Sequence, residues 1–247
     1  VVLLGRRLGD AAAELSALDA LARLGPEDGG EPQRREAAAR RLADLLRRAE
    51  LRALPEFGDE GGAVALYHEA LRQRPGEAQA LERLEALLRR AGRHAELAAL
   101  LRAQADACAA LGPDGAEQLL LLQLRLAEVY ERELKHPEQA AAVYREVLIR
   151  KPGNIAVLRA LARLYQELGE LPRLADTLEL LCAALPAGTA RAAALLRLGE
   201  VYERGLERLA DAEAVYDRAL GETGAEALGS HAALGLWRVA ARRGLDG

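Results

Sequence analysis

The sequence predicts an all-α fold without a β-sheet, built from about six antiparallel helix hairpins. Three observations support this prediction. Hydrophobic residues make up 51% of the 247-residue chain but aromatic residues only 3%, so residues that favour strands are scarce. One amphipathic segment occurs three times, as AVALYHEAL at 63–71, AAAVYREVL at 140–148 and AEAVYDRAL at 212–220. Prolines recur on the same spacing and mark the breaks between helices.

The spacing of these copies defines the repeat. The three segments start 77 (140 − 63) and 72 (212 − 140) residues apart. A second motif, LAEVYER at 126–132 and LGEVYER at 198–204, is again separated by 72 residues (198 − 126). Tyrosines at 130, 165 and 202 divide this superperiod into units of 35 (165 − 130) and 37 (202 − 165) residues. Because a single hairpin cannot bury its own apolar face, successive hairpins are expected to stack and share a core.

The N-terminal units are predicted from weaker copies of the same pattern. LGD at 8–10 matches LGE at 168–170, which indicates a partial unit over 1–24. LEALLRRAGR at 84–93 matches LARLYQELGE at 161–170, which gives hairpins over 31–74 and 77–111. RPGE at 74–77 closes the first of these hairpins.

The C-terminal units have clearer start and stop signals. Asn154 suits a helix N-cap, Pro137 and Pro172 suit first-turn positions, and Gly169 permits a sharp turn. We therefore predict hairpins over 115–150, 154–185 and 188–220, then a terminal helix over 225–243. All units form one predicted domain over 1–247. Since the chain starts with Val1 and contains no Met, it is expected to be a fragment of a longer protein.

Charge and hydropathy narrow the range of partners. The net charge of −4 and a pI of about 5.8 provide no positive field for nucleic acid or an anionic membrane. No apolar run reaches the length that spans a bilayer, so membrane insertion is not expected. The strong preference for arginine over lysine indicates a bacterial, GC-rich coding sequence. We expect a cytoplasmic location, and the periplasm stays open because an N-terminal signal would lie outside this sequence.

No pattern of catalytic, metal-binding or cofactor-binding residues is found in the sequence. Its four histidines at 68, 94, 136 and 231 belong to no HExxH or Cys/His metal motif. There is no phosphate-binding glycine loop and no nucleophile elbow. Cys108 and Cys182 stand in the same CAAL context and are expected to be small buried residues, not a disulfide pair. An enzyme is therefore not expected, nor is a cofactor.

The repeat resembles the tetratricopeptide repeat family, in particular tandem bacterial members, over essentially the whole chain. The residues that carry the resemblance are Leu126, Ala127, Tyr130, Ala140, Tyr144 and Pro152, and in the next copy Leu198, Gly199, Tyr202, Ala212, Tyr216 and Ala219. The N-terminal half departs from the family pattern at Leu46, Glu85 and Leu88. The resemblance implies a right-handed superhelical solenoid that acts as a non-catalytic scaffold, holding a peptide or protein in a concave groove.

In this family the groove is lined by the first helix of each hairpin. The candidate groove residues carried over by position are Arg40, Asp44, Arg47, Arg48, Gln79, Glu82, Arg89, Arg90, Leu121, Leu124, Glu128, Glu131, Arg132, Arg159, Arg163, Gln166, Glu167, Leu196, Glu200, Glu203 and Arg204. The arginines of the early part are suited to clamp a carboxylate or an acidic peptide. The alternative is that these side chains form solvated helix faces with local ion pairs.

Two other functions remain open from the sequence. A structural spacer in a large assembly would use its ends or convex face, and Trp237 on the terminal helix is a candidate end contact, although it would equally suit the end of the core. A nucleic-acid-reading helical repeat would need a basic stripe, and the mixed charges of the candidate groove argue against it.

Overall fold

A computed structural model describes residues 2–22, 31–222 and 226–245. Over these residues all regular structure is helical and no strand is present, so the all-α prediction is confirmed for the described chain. The chain forms two compact units, Val1–Leu122 and Gln123–Gly247. The handedness of the predicted superhelix stays a prediction.

The described part of the first unit contains five α-helices and the start of a sixth. Their bounds are α1 Val2–Leu21, α2 Glu31–Arg52, α3 Glu60–Gln73, α4 Ala78–Arg90, α5 His94–Ala110 and α6 Ala116–Glu128. Helix α2 packs against α3, and α4 packs against both α3 and α5. Tyr67, Leu81 and Leu101 are fully buried in this core. Helix α1 runs without interruption through residues 8–10, where the matching LGE at 168–170 makes a hairpin turn.

The second unit begins within α6 and contains the clearest repeats. Its further helices are α7 Pro137–Arg150, α8 Ile155–Glu167, α9 Leu171–Ala184, α10 Thr189–Glu200, α11 Leu209–Leu220 and α12 Glu226–Leu245. Helix α8 packs on α7 and α9, and α11 packs on α10 and α12. Tyr216, Leu158 and Leu161 are buried at these contacts because the apolar positions of each helix recur at helical spacing.

Two kinds of hairpin turn alternate in the second unit. Helices α6 and α10 each end in a π-helical turn, Val129–Glu133 and Val201–Gly205, and each turn is followed by a non-glycine residue with positive φ. These residues are Lys135 (φ 56°) and Glu207 (φ 54°). The α8–α9 hairpin instead turns at Gly169 (φ 70°), where the amide of Glu170 donates to the Tyr165 carbonyl at 2.9 Å. The alternating unit types of the sequence therefore correspond to two different backbone turns.

The two cysteines are buried free thiols, Cys108 in the first unit and Cys182 in the second. Cys182 lies on α9 with its side chain in the core, and burial raises the pKa of its thiol to about 11. Both cysteines thus act as small packing residues, as the repeated CAAL context indicated.

Candidate partner-binding surface

Two arginines of the predicted clamp hold helix α1 in place. Arg47 donates to both carboxylate oxygens of Glu14, Nε to Oε1 at 2.7 Å and Nη2 to Oε2 at 2.8 Å. Arg48 and Arg52 both donate to Asp19, at 2.6 Å and 2.8 Å. Burial opposes ionisation of Asp19, but the hydrogen bonds from these two arginines outweigh it and lower its pKa. The arginines in the N-terminal part of the candidate groove therefore make intramolecular contacts, in addition to any contact with a partner.

The other candidates of the first unit form local or cross-helix pairs. Arg40 pairs with Glu36 and Arg89 pairs with Glu85, each one turn away on the same helix. Arg90 on α4 reaches Glu60 on α3. Asp44, Glu82 and Leu121 are exposed.

A concave pocket of about 310 Å³ lies among α2, α3 and α4 of the first unit. Its lining consists of Arg47, Glu50, Leu51, Ala53, Leu54, Tyr67 and Arg83. The floor is apolar, with Leu51 and Tyr67 buried, and the rim carries two arginines and a glutamate. An apolar floor with a few charged groups at the rim is the usual make-up of a site that holds a side chain of a partner.

Arg83 is the cation of this pocket that is held least tightly. Its side chain is 63% exposed, and its Nη2 stands 3.9 Å from Glu50 Oε1, beyond hydrogen-bonding distance. The same Glu50 oxygen accepts a hydrogen bond from Gln79 Nε2 at 2.8 Å. Arg83 is not among the candidate groove residues predicted from the sequence. It lies one helical turn after Gln79, on the same face of α4, and this four-residue spacing would have identified it as a candidate.

The second unit contains the same three-residue polar contact twice. Glu131 accepts a hydrogen bond from the Tyr144 hydroxyl at 3.3 Å and pairs with Arg163 at 2.6 Å. Seventy-two residues later (203 − 131), Glu203 accepts from the Tyr216 hydroxyl at 2.8 Å and from Arg238 at 2.8 and 2.9 Å. Each contact joins three elements. They are the π turn at the end of one helix (α6 or α10), the second helix of the same hairpin (α7 or α11) and the helix that follows it (α8 or α12).

The two copies of this contact differ in burial. Glu203 was assigned to the candidate groove, but it is only 2% exposed and lies in the core of the second unit. The hydrogen bond from Arg238 lowers the pKa of Glu203, although burial acts in the opposite direction. Burial and the contact with Glu203 also raise the pKa of Tyr216. Glu203 therefore stabilises the packing of α11 and α12 and is not exposed on a groove.

The remaining candidates of the second unit lie at or near its surface. Gln166 accepts a hydrogen bond from Arg197 of the next first helix. Leu124 and Leu196 are half-buried. The exposed candidates are Glu128, Arg132, Arg159, Glu167, Glu200 and Arg204. Trp237 on α12 is 71% exposed, so it does not fill the end of the core.

Metal-binding clusters and membrane-spanning helices are both absent from the residues that the structure describes. Among residues 2–22, 31–222 and 226–245, no group of three or more His, Cys, Asp or Glu side chains is placed to hold a metal ion. Within the same part of the chain, no helix has both the length and the apolar character needed to cross a bilayer.

Comparison with known proteins gives similarities of fold. No protein-family model and no curated protein matches the sequence. Among solved structures, BtubC from P. vanneervenii is 22% identical, over 87% of this chain and 89% of that protein, with a TM-score of 0.41. A tetratricopeptide repeat protein from Parabacteroides merdae is 16% identical, over 83% of this chain and 74% of that protein, with a TM-score of 0.43. The matching chain in the complex of the TPR2AB domain of yeast Sti1 with pHSP90 is 15% identical. The match covers 96% of this chain and 99% of that one, with a TM-score of 0.34.

The repeat is also visible in the contacts of the chain itself. The recurring tyrosine helices pack as consecutive hairpins, and the Glu–Tyr–Arg contact recurs after one superperiod. Over the residues that the structure describes, the chain is an all-α helical-repeat protein, and its repeated sequence pattern resembles that of the tetratricopeptide repeat proteins.

Proposed function

We propose that the protein is a non-catalytic scaffold that binds a protein or peptide partner along the first helices of its hairpins. The pocket among α2, α3 and α4 is the observation that carries this proposal, since it combines a buried apolar floor with an incompletely paired arginine. A helical repeat presents such surfaces on a rigid frame, so little ordering free energy is lost on binding.

The pocket chemistry indicates which segment of a partner it accepts. An apolar side chain of the ligand would lie on Leu51, Leu54 and Tyr67. A carboxylate beside that side chain would bind Arg83, whose guanidinium makes an ion pair with Glu50 that is too long for a hydrogen bond. The expected ligand is therefore an extended peptide with an apolar residue next to an acidic residue or to its C-terminal carboxylate.

The test is selection of peptides from a random library with the full chain as bait. We expect enrichment of an apolar residue adjacent to a carboxylate, and Arg83→Glu is expected to weaken binding of the selected peptide by about tenfold or more. Arg72→Glu is the matched control, because Arg72 is also an exposed arginine, on α3, and pairs only with nearby Glu69 in the structure described. Equal binding by both variants would refute the pocket as the anchor.

Arg47 and Arg48 are poor test positions for the same hypothesis. Both arginines bind carboxylates of α1, so their reversal to glutamate would detach that helix. Loss of binding in such a variant would report on folding as much as on partner contact.

A structural spacer in a larger assembly is the second candidate function. The observation that favours it is the exposed apolar side of α12, with Leu234 and Trp237 at the surface. In that case the Arg83→Glu variant would still enter the assembly, whereas a variant of Trp237 would not. Binding of mixed oligonucleotides at two salt concentrations tests the nucleic-acid alternative, since genuine phosphate contacts weaken steeply as salt rises.

A further inference from the structure

The Glu–Tyr–Arg contact of the second unit has an open counterpart in the first unit. Tyr67 occupies the same place in its repeated segment as Tyr144 and Tyr216. In both closed copies the glutamate that accepts from the tyrosine stands 13 residues before it (144 − 131 and 216 − 203). The residue 13 positions before Tyr67 (67 − 54) is Leu54, whose side chain accepts no hydrogen bond.

The first unit carries its glutamate and its arginine about one helical turn earlier. Glu50 precedes Leu54 by four residues, and α2 is a regular α-helix up to its end, whereas α6 and α10 end in π turns. Arg83 lies three residues before Ala86, which is the residue that matches Arg163 at an offset of 77 (163 − 86). The two charges still face each other, with 3.9 Å between Arg83 Nη2 and Glu50 Oε1, but neither is hydrogen-bonded to the tyrosine.

The hydroxyl of Tyr67 is left in need of a partner. Tyr67 is 1% exposed and lines the pocket, and its hydroxyl makes no hydrogen bond to another residue that the structure describes. Burial raises the pKa of Tyr67, the Glu50 carboxylate adds to this effect and Arg83 opposes it, so both charges lie near the hydroxyl. Because a buried tyrosine hydroxyl ordinarily has a hydrogen-bond partner, the pocket presents a donor to an acceptor from outside.

Arg83 offers a second donor to an acceptor placed at Tyr67. Its side chain is 63% exposed, and the Glu50 oxygen nearest to it already accepts from Gln79 at 2.8 Å. The other Glu50 oxygen lies 3.5 Å from Arg47 Nη1, so two arginines share this single carboxylate. A carboxylate between Tyr67 and Arg83 would gain two charge-assisted hydrogen bonds, and the charge of Arg47 offsets the repulsion from Glu50.

We propose that the pocket holds the side-chain carboxylate of a glutamate from the partner, with the Tyr67 hydroxyl and the Arg83 guanidinium as its donors. This carboxylate takes the place that Glu131 and Glu203 fill within the chain in the closed copies. The assignment rests on the proposed function of the pocket and adds two residues to it. Tyr67 selects a carboxylate, and Leu54 keeps the site open for a partner.

The depth of the tyrosine favours a glutamate side chain over the carboxylate at a chain end. Tyr67 is buried at the floor of the pocket, whereas the exposed Arg83 stands at its rim. The two methylene groups of a glutamate would lie on Leu51 and Leu54 while its carboxylate reaches the hydroxyl. Leu54 is 37% exposed, so an apolar residue beside the glutamate would cover the remainder of it.

Leu54→Glu tests the geometry without a ligand, because it places a carboxylate where the closed copies have one. Leu54→Gln is the matched control, since glutamine has the same length and no charge. We expect Leu54→Glu to unfold at a higher temperature than Leu54→Gln, and this difference to shrink when Tyr67→Phe is added to both. Equal unfolding temperatures for the two variants would overturn the proposed geometry.

The binding test uses a peptide selected from the random library with the full chain. We expect the peptide to contain a glutamate whose replacement by glutamine weakens binding by about tenfold or more, whereas amidation of its C-terminus has no effect. Tyr67→Phe should weaken binding by about tenfold, and the control Tyr144→Phe should not, because the Tyr144 hydroxyl is already bonded to Glu131. Leu54→Glu should bind more weakly than Leu54→Gln, because its own carboxylate occupies the site.

The outcomes separate this assignment from the proposed function. A peptide that needs Arg83 but binds Tyr67→Phe as tightly as the wild type overturns the glutamate assignment and leaves the pocket as the anchor. Loss of binding on amidation does the same, since it identifies the terminal carboxylate as the ligand group. A peptide whose binding is unchanged by Arg83→Glu, or the selection of no peptide at all, overturns both. Thermal denaturation of each variant shows that it is folded.

Discussion

Replacing Arg238 with alanine removes the cationic partner of a carboxylate in the core of the second unit. Glu203 then keeps the hydroxyl of Tyr216 as a hydrogen-bond donor but loses two charge-assisted bonds of 2.8 and 2.9 Å. Removing one member of a buried ion pair costs about 3–5 kcal/mol, because the remaining charge is left unpaired. Since the Arg238 side chain is 33% exposed, water reaches the vacated space, and we expect about 3 kcal/mol.

The pH dependence follows from the lowered pKa of Glu203. A lowered pKa in the folded state adds stability above the ordinary carboxyl value of 4.5, and this stability is lost as pH falls through the folded-state pKa. In the alanine variant the main cause of the lowering is gone and burial favours the neutral form. The difference in unfolding free energy between wild type and variant should therefore be largest at neutral pH and shrink under acid conditions.

Urea denaturation followed by far-UV circular dichroism at several pH values measures this difference. Arg163→Ala is the matched control, because Arg163 makes the equivalent pair with Glu131 but is 54% exposed. The side chain of Glu131 is 11% exposed, so water screens its pair with Arg163 more than it screens the pair of Glu203, and this control should lose less stability than Arg238→Ala. Equal losses in the two variants, or a loss for Arg238→Ala that does not change with pH, would refute the assignment of Glu203 as a buried, ionised partner.

Three other substitutions or treatments have defined outcomes. Gly199→Ala should lower the free energy of unfolding by about 1–3 kcal/mol, because the added Cβ would stand 2.5 Å from the Tyr216 ring. The control is Gly229→Ala, whose Cβ would meet only a side-chain carbon at 3.8 Å and which should be neutral or slightly stabilising. Urea denaturation measures both changes. Cys182 should resist alkylation at neutral pH until the protein is unfolded, as mass spectrometry of labelled protein would show, and rapid labelling of native protein would contradict its burial. Arg48→Ala should speed hydrogen exchange in α1 relative to α4, and unchanged exchange would show that this pair does not hold α1.

Local signals were sufficient to predict the helices. The tyrosine repeats, the capping residue Asn154 and the turn at Gly169 act within a few residues of their own position, so their effect can be read along the chain. The confirmed all-α fold follows from these signals together with the scarcity of strand-forming residues.

The partners of the charged residues were not predictable in the same way. Arg47 lies on an ordinary amphipathic helix, and only the packing of α1 on α2 brings Glu14, 33 residues earlier, within hydrogen-bonding distance. Glu131 and Glu203 occupy identical positions in the repeat, yet their side chains are 11% and 3% exposed and those of their arginine partners 54% and 33%. The π turns were also missed, because LAEVYER and LGEVYER have the same apolar periodicity as an uninterrupted α-helix.

The alternation of π turns and glycine turns limits how an array like this one grows by gene duplication. The π turn that ends α6 is followed by the α8–α9 hairpin, which turns on glycine, and the α10–α11 hairpin then has a π turn again. Copying a single hairpin would place two turns of one kind side by side and mismatch the helix that packs across them. A 72-residue segment holding both kinds is thus the smallest copy that joins to itself, so such an array lengthens by two hairpins at a time.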